Sequence, residues 1–367
     1  MTNNLKNNEI AKQVESRLKG ILEEVDSLRV PKAQHISPVI GQAKELGIDL
    51  RIQLAGTLGK SWEIQVEAKS SGFPKQVSGA VFELKRAAGN TLGGRKIYSA
   101  FAAPYISPEA AKLCREAGIG YLDLSGNCHL SFGSVHIHVE GKPNQYKPKR
   151  EQGNLFSPKA SRVLHILLQG PLKAWKVVDL AQASGSSLGT ISTVRKELLK
   201  QLWAEDSELG VKITKPDAVL DAWAKADNWK RRTTVREYSV LVQDKDEVAR
   251  KLKELFRGQE FAFTQWYGAL LRRPHTVSEV VTLYVREFAE NDLIQKELLA
   301  RQVDGGGTLR LVEPKDEGVF IGKHDLDGLP VVSDIQLYLD LIDAGMRGDE
   351  AARELRNWSE FSGGWDV

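Results

Sequence analysis

Apolar positions along this chain change their period several times, and the changes divide it. Residues 5–26 are polar overall, yet Ile10, Val14, Leu18, Ile21 and Leu22 recur at helical intervals, which predicts a helix with one buried stripe. Arg51–Leu54 and Trp62–Val66 have strand character, and Gly56-Thr-Leu-Gly59 between them supplies a turn. Helical spacing returns at Val77, Ala80, Val81, Leu84 and Ala88. Ile97–Ala103 is of strand length, Ser107 caps a helix over 108–117, and Tyr121–Leu124 is a short buried strand. Strands alternating with helices predict a mixed α/β sheet with helices packed against it.

The pattern then stops. Gly141-Lys-Pro-Asn-Gln-Tyr-Lys-Pro-Lys-Arg-Glu-Gln-Gly153 has two prolines, two glycines and almost no apolar content, so it reads as a linker. Beyond it three helices are predicted. The first, 158–169, has Ser157 as cap and Val163, Leu164, Ile166 and Leu167 on its apolar face; the second is 177–183, preceded by Trp175 as a core plug. Gly185-Ser-Ser187 turns the chain into the third, 188–202, whose Ile191, Val194, Leu198, Leu199 and Leu202 face inward. A short β element follows over 208–214. From residue 233 onward strands and helices mix: strands at 238–242, 261–264, 277–285 and 309–312, a helix over 246–256, and a helical end covering 332–341 and 347–352. Three domains are therefore expected, at 1–141, 142–232 and 233–367.

Composition narrows the class. The chain has 367 residues, enough for two or three domains at about 150 residues each. Apolar residues at 41% and charged residues at 27% are the balance of a globular protein. No apolar run reaches the roughly 18 residues of a membrane helix, and the polar N-terminus is no secretory signal, so a cytoplasmic protein with no membrane role is expected. Two cysteines, Cys114 and Cys128, exclude a disulfide scaffold. The net charge of +3 conceals an asymmetry: residues 1–141 carry +3, residues 142–232 carry +8 and residues 233–367 carry −8. A basic block between a neutral and an acidic one points to a polyanionic partner for the middle.

Candidate chemistry in the first block centres on Glu67 and Lys69, two apart on one strand and so on one sheet face, with Asp49 in Gly47-Ile-Asp49 before the preceding strand. Asp49 and Glu67 offer hard oxygens to Mg²⁺, and Lys69 could activate water. The glycines at 56 and 59 leave the register between the two strands open. With the helix from Gln76, the run Ala103-Pro-Tyr-Ile-Ser107 and Gly118-Ile-Gly-Tyr-Leu-Asp123, residues 35–135 resemble the PD-(D/E)xK nuclease superfamily, in its Mrr-like and Holliday-junction-resolvase-like branches. That resemblance implies a restriction-endonuclease-like fold, Asp49, Glu67 and Lys69 as catalytic positions with Gln76 as helper, and Mg²⁺ on Asp49 and Glu67 in an active nuclease. The alternative is a nuclease-shaped domain used for DNA contacts or dimerisation. The Gly126-Asn127 turn reads as structural, and His136 and His138 as exposed strand histidines.

In the middle block the second helix, the glycine-containing turn and the third helix form a helix-turn-helix, and 208–214 with Lys212 and Lys215 makes a wing. Ser187, Thr190, Ser192, Thr193, Arg195 and Lys196 face outward, short hydroxyls ahead of cations, a composition suited to base edges and phosphates. Lys147, Lys149 and Arg150 of the linker could follow phosphates beside it.

The acidic block shows no catalytic constellation, and Gly305-Gly-Gly307 reads as a turn. Taken with the helix-turn-helix, residues 156–355 resemble the abortive-infection (AbiE) antitoxin-like transcriptional regulators of type IV toxin–antitoxin pairs. The resemblance rests on Ser157-Pro-Lys-Ala160, Trp175, Ser187-Leu-Gly189, Leu311-Val-Glu-Pro314, Gly318-Val-Phe320, Pro330-Val-Val-Ser-Asp-Ile-Gln-Leu-Tyr-Leu-Asp-Leu341 and Arg347-Gly348. It implies a DNA-binding repressor. The expectation is an α/β multidomain protein, a nuclease-like sheet, a winged helix-turn-helix and a C-terminal α+β domain. It would act as a regulator of double-stranded DNA that needs no cofactor to bind, forms a homodimer, and meets a toxin or other protein through residues 233–367. The alternative is a Mg²⁺-dependent endonuclease delivered by the winged helix.

Overall fold

A computed structural model describes residues 7–24, 28–29, 48–56, 61–88, 96–146, 155–242, 244–274, 280–345 and 347–365. The chain divides into two compact units, Met1–Gln152 with Lys200–Leu202, and Gly153–Leu199 with Trp203–Val367.

The first unit is a seven-stranded sheet with its strands in sequence order, β1 Leu28–Arg29, β2 Leu50–Gly56, β3 Ser61–Ala68, β4 Lys96–Ala103, β5 Gly120–Asp123, β6 Cys128–Phe132 and β7 Val135–Val139. The β3–β4 and β4–β5 pairs are parallel, and the other neighbours antiparallel. Helix α1 (Asn7–Glu23) buries Ile10, Val14, Leu18 and Leu22 against Ile52, Ile64 and Val66 on one face. Helices α2 (Pro74–Ala88) and α3 (Pro108–Glu116) share a core on the other face, with Val77, Leu84 and Cys114 meeting Phe101 and Tyr121. Ser107 caps α3, its hydroxyl accepting from the Ala110 amide at 3.3 Å.

The second unit opens with α4 (Pro158–Leu168), α5 (Val177–Ser184) and α6 (Leu188–Lys200), followed by the two-stranded ribbon β8 (Ala204–Ser207) and β9 (Gly210–Ile213). Gly185 ends α5 at φ +61°, a left-handed C-cap that lets the chain turn directly into α6. Trp175 exchanges backbone hydrogen bonds with Val211 at 2.8 and 3.0 Å, a single bridge that ties the segment before α5 to the two-stranded ribbon. A β-carbon on Gly210 would lie 2.1 Å from the Trp175 carbonyl oxygen, so only glycine permits that approach. Helix α6 stops two residues before the expected Leu202, which takes φ +57°.

Helices α7 (Pro216–Ala226) and α8 (Trp229–Arg232) lead into a second seven-stranded sheet. Its strands are β10 Thr233–Val240, β11 Phe261–Thr264, β12 Val281–Val285, β13 Ala300–Val303, β14 Leu309–Pro314, β15 His324–Leu326 and β16 Leu329–Val331, in the order β13-β10-β14-β12-β11-β16-β15. Helices α9 (Lys245–Leu255) and α11 (Asn291–Leu298) cover one face. On the other, α12 (Asp334–Ile342), α13 (Gly348–Arg356) and the helices of residues 158–226 enclose a single core: Leu164, Leu180, Ile191 and Leu198 belong to the same apolar cluster as Tyr284, Val312 and Leu337.

The expected boundary near residue 232 is therefore a change of charge without a change of packing. Residues 142–232 differ from their neighbours in composition, but their helices are completed by the sheet that follows. The compact units divide after residue 152 instead of at 141. Helix α10 (Gln265–Arg272), α11, the edge strands β13 and β15, and β16 beside β15 add to the expected elements.

Candidate functional site

Strands β2 and β3 present opposite characters on their two faces. Leu50, Ile52, Leu54, Ile64, Val66 and Ala68 point to the α1 core, while Arg51, Gln53, Glu63, Gln65 and Glu67 occupy the other face. Three of these polar residues are buried, Glu63 at 5% exposure, Gln65 at 1% and Glu67 at 2%. Burial of charge demands partners. The Gln65 amide donates to Glu63 Oε1 at 2.8 Å, Arg51 Nε lies 3.5 Å from the same oxygen, and Lys69 Nζ lies 2.7 Å from Glu67 Oε1.

The register left open by the hairpin glycines is fixed at the other end of the strands. The Asp49 amide donates to the Val66 carbonyl at 2.9 Å, and Asp49 Oδ2 accepts from the Ala68 amide at 2.8 Å. Asp49 thus stands beside Glu67 and Lys69. Burial pushes the Glu67 carboxyl above its ordinary range; Lys69 counters this, and the charges of Asp49 and Glu83 add to it. Glu67 Oε2 is buried with no hydrogen-bond partner. Gln76 is exposed on the first turn of α2, and the helix residue that acts electrostatically on Glu67 is Glu83, two turns further along. Glu63, Gln65 and Glu83 are absent from the sequence-based site. The first two carry a signal there, a period-two polar row leading to Glu67. Two carboxylates and a lysine in this arrangement can share a proton or offer oxygens to a hard cation. Among the described residues, no three His, Cys, Asp or Glu side chains are grouped to hold a metal ion.

In the second unit, α6 seats Ile191, Val194 and Leu198 in the core and turns its other side outward. Ser187 Oγ accepts from the Thr190 amide at 3.2 Å and lies 3.0 Å from the Thr190 hydroxyl. Thr193 Oγ1 donates to the Gly189 carbonyl at 2.9 Å. Ser192 and Lys196 are exposed. Arg195 is engaged: its Nε donates to Asp206 Oδ1 of β8 at 3.1 Å and its second nitrogen contacts Oδ2. Lys212 lies 3.8 Å from Glu205, and Lys215 is exposed at the N-cap of α7. Lys147, Lys149 and Arg150 lie outside the described residues. Three large apolar side chains of these elements are exposed, Leu188 on α6, Val178 on α5 and Leu209 at the ribbon tip.

The remaining candidates resolve into structural roles. Asp123 accepts from the amides of Ile106, Gly126 and Asn127 and from the Asn127 side chain, at 2.7–3.1 Å, so the turn after β5 is self-satisfied. His136 and His138 share a face with His129 of the neighbouring strand, whose Nδ1 lies 3.1 Å from that of His138. Gly307 donates to Glu237 at 3.0 Å and packs against the Tyr238 backbone, which makes its glycine run a turn against β10. Both cysteines are buried, which pushes their thiols up to about 12 and leaves them unreactive at neutral pH.

Residues 212–359 match a family model described as a transcriptional regulator, the AbiEi antitoxin of the type IV toxin–antitoxin system. This segment runs from inside β9 to just beyond α13. No curated protein and no solved structure matches the chain. Among the described residues no helix is long and apolar enough to cross a membrane.

Proposed function

We propose that the chain is an antitoxin-type transcriptional regulator that binds double-stranded DNA sequence-specifically, with α4–α6 and the β8–β9 ribbon acting as a winged helix. The observation that carries this reading is helix α6, held on its inner side by Ile191, Val194 and Leu198 and presenting Ser187, Thr190, Ser192 and Lys196 outward beside a ribbon tied at Trp175. A helix of that breadth enters the major groove, where short hydroxyls approach base edges and lysines approach phosphates. Lys212, Lys215 and the basic linker would hold the backbone on either side. The similarity of residues 212–359 to an antitoxin family supports a protein partner of toxin type for the acidic segment. The first unit would add DNA contacts or a dimer interface, and a two-fold dimer would read paired half-sites.

The test is a mobility-shift and anisotropy titration with the chain's own promoter DNA. Binding is expected to persist in EDTA, to weaken steeply with salt, and to weaken further in Lys196→Ala and Ser192→Ala. Equal affinity of both variants and the parent would refute the assignment of α6.

A second reading is favoured by Glu67 Oε2, which is buried without a partner while Lys69 holds the other oxygen and the Asp49 charge acts on the same carboxyl. It makes the first unit a Mg²⁺-dependent endonuclease of restriction-endonuclease-like fold. Asp49 and Glu67 would hold the cation, which supplies Lewis-acid stabilisation of phosphate charge, and Lys69 would orient the attacking water. Nicking of supercoiled DNA that requires Mg²⁺ and disappears in Lys69→Ala supports it. Nicking unaffected by EDTA or by that substitution excludes it.

A further inference from the structure

The sheet of the first unit ends at β7, and three histidines meet on one face of that edge. His129 of β6 pairs directly with His138 of β7, and His136 pairs with Ser131, so all three side chains leave the same side. The register carries this row inward from His129 through Tyr121 and Phe101 to Glu67. Glu67 is three strand spacings from His129, about 14 Å, with the buried rings of Tyr121 and Phe101 between them. The histidines are therefore separate from the group at Asp49, Glu67 and Lys69.

Their rings are spaced as ligands of one ion are. Nδ1 of His129 lies 3.1 Å from Nδ1 of His138. Two imidazole nitrogens on one tetrahedral zinc ion are about 3.3 Å apart, because each lies about 2.05 Å from the metal. The His129 ring centroid is 5.3 Å from that of His138 and 5.6 Å from that of His136. Imidazoles that share an ion have centroids roughly 5 Å apart by the same geometry. On the far side of His138, Nε2 lies 3.7 Å from Glu140 Oε2, and Glu140 is itself held by Arg115 and the Tyr121 hydroxyl. A carboxylate behind the second ring nitrogen is the common outer partner of a metal-bound histidine, and it favours the tautomer whose near nitrogen keeps its lone pair. His138 Nδ1 is then an acceptor, and the hydrogen between the two rings sits on His129 Nδ1. An ion entering there takes the place of that hydrogen, which moves to His129 Nε2.

The third ring completes the set by a small movement. As the side chains stand, no three of them converge on one point. His136 turns its Nδ1 to Ser131 Oγ at 3.5 Å, the limit of a hydrogen bond, and its side chain is exposed. A change of rotamer frees it to follow an ion held by the other two.

We infer that His129, His138 and His136 bind a transition-metal dication of the zinc class, the first two preformed and the third closing on the ion, with water in the fourth position. Imidazole nitrogen suits Zn²⁺, Cu²⁺ and Ni²⁺, whereas Mg²⁺ prefers oxygen. Since His129 and His138 stand on neighbouring strands, the ion fastens the edge strand β7 to β6.

The test is titration calorimetry of the full chain, carrying no affinity tag and stripped with EDTA, using zinc chloride with and without excess Mg²⁺. One equivalent of Zn²⁺ is expected to bind without competition from Mg²⁺, and Co²⁺ in its place to give the visible absorption of a tetrahedral site. His129→Asn, His138→Asn and His136→Asn are each expected to lose at least the roughly tenfold that even outer partners contribute to a metal site. These positions are exposed or half-buried, and circular dichroism checks that the variants fold. Hydrogen exchange should slow in β6 and β7 when zinc is added. Absence of zinc binding, or parental affinity in His129→Asn and His138→Asn, would overturn the site, and parental affinity in His136→Asn would overturn the three-imidazole set. Zinc protection in β2 and β3 with none in β6 and β7 would place the ion at Asp49 and Glu67 and refute the inference.

Discussion

The Arg195–Asp206 pair sets up a competition that can be measured. Under the proposed DNA-binding function Arg195 would meet phosphate from α6, yet its guanidinium is held by two hydrogen bonds to a carboxylate on the ribbon. Both side chains remain partly exposed, at 39% and 31%, so solvent screens the pair and it is worth at most about 1 kcal/mol. A phosphate approaching Arg195 must first displace Asp206 and then tolerate that negative charge nearby. Asp206→Asn keeps the shape and removes the competitor. The recovered free energy corresponds to DNA binding up to about fivefold tighter, and one additional phosphate contact steepens the salt dependence by about 0.9 in log–log slope. The assay is fluorescence anisotropy with a labelled promoter duplex at several salt concentrations, with Arg195→Ala alongside. Weaker binding in Asp206→Asn, or affinity unchanged in both variants, would refute the competition and make Arg195 a strut that positions the ribbon.

Three further outcomes are expected. Burial would raise the Asp334 carboxyl, but the His324 imidazole 3.4 Å away and the hydrogen bonds from Arg272 and the Ser362 amide outweigh it and hold its pKa down to about 2. Its stabilisation is complete above the ordinary carboxylate value near 4 and is lost as the pH falls toward 2, a difference of about 2 kcal/mol that denaturant titrations at several pH values would show and Asp334→Asn would abolish. Leu164→Ala empties part of a core shared by the helices and the second sheet and should cost about 2–5 kcal/mol; hydrogen exchange should then accelerate in β12 and β14 as well as in α4, and acceleration confined to the helices would contradict the shared core. Because burial raises the Glu67 pKa, its ionised form opposes folding at neutral pH, so Glu67→Gln should raise the melting temperature at pH 7 and lose that advantage as the pH falls below the unfolded carboxylate range; a lowered melting temperature at pH 7 would contradict the assignment.

Elements whose apolar spacing is regular were legible from the chain alone, including α1, β2–β4, α3 and α4–α6. Helix α10 was not. Phe261-Ala-Phe-Thr runs into Gln-Trp-Tyr with no glycine or proline between, and the strand turns into a helix at Gln265, which adopts φ +49°. Side-chain packing holds that turn: the Gln265 side chain exchanges hydrogen bonds with Asp340 and Thr282, far away in sequence. The proximity of Asp49 to Glu67 was illegible for another reason, since two hairpin glycines permit more than one register and long-range backbone bonds choose among them. The role of Asp206 was hidden because a wing acid looks like solvated charge until its ribbon folds beside α6. Boundaries failed where charge and packing disagree, as at residue 232.

The shared core of the second unit also sets the size of the piece that can be inherited or exchanged. The recognisable family segment starts at Lys212, in the second strand of a ribbon whose first strand and supporting helices lie before it. A recombination that carried only that segment would part β8 from β9, strip Leu164, Ile191 and Leu198 from the sheet, and deliver half an interior to its new host. A chimera meant to exchange the outward face of α6 while retaining residues 212–359 must therefore redesign the buried faces of α4 and α6, or exchange the whole of residues 155–365.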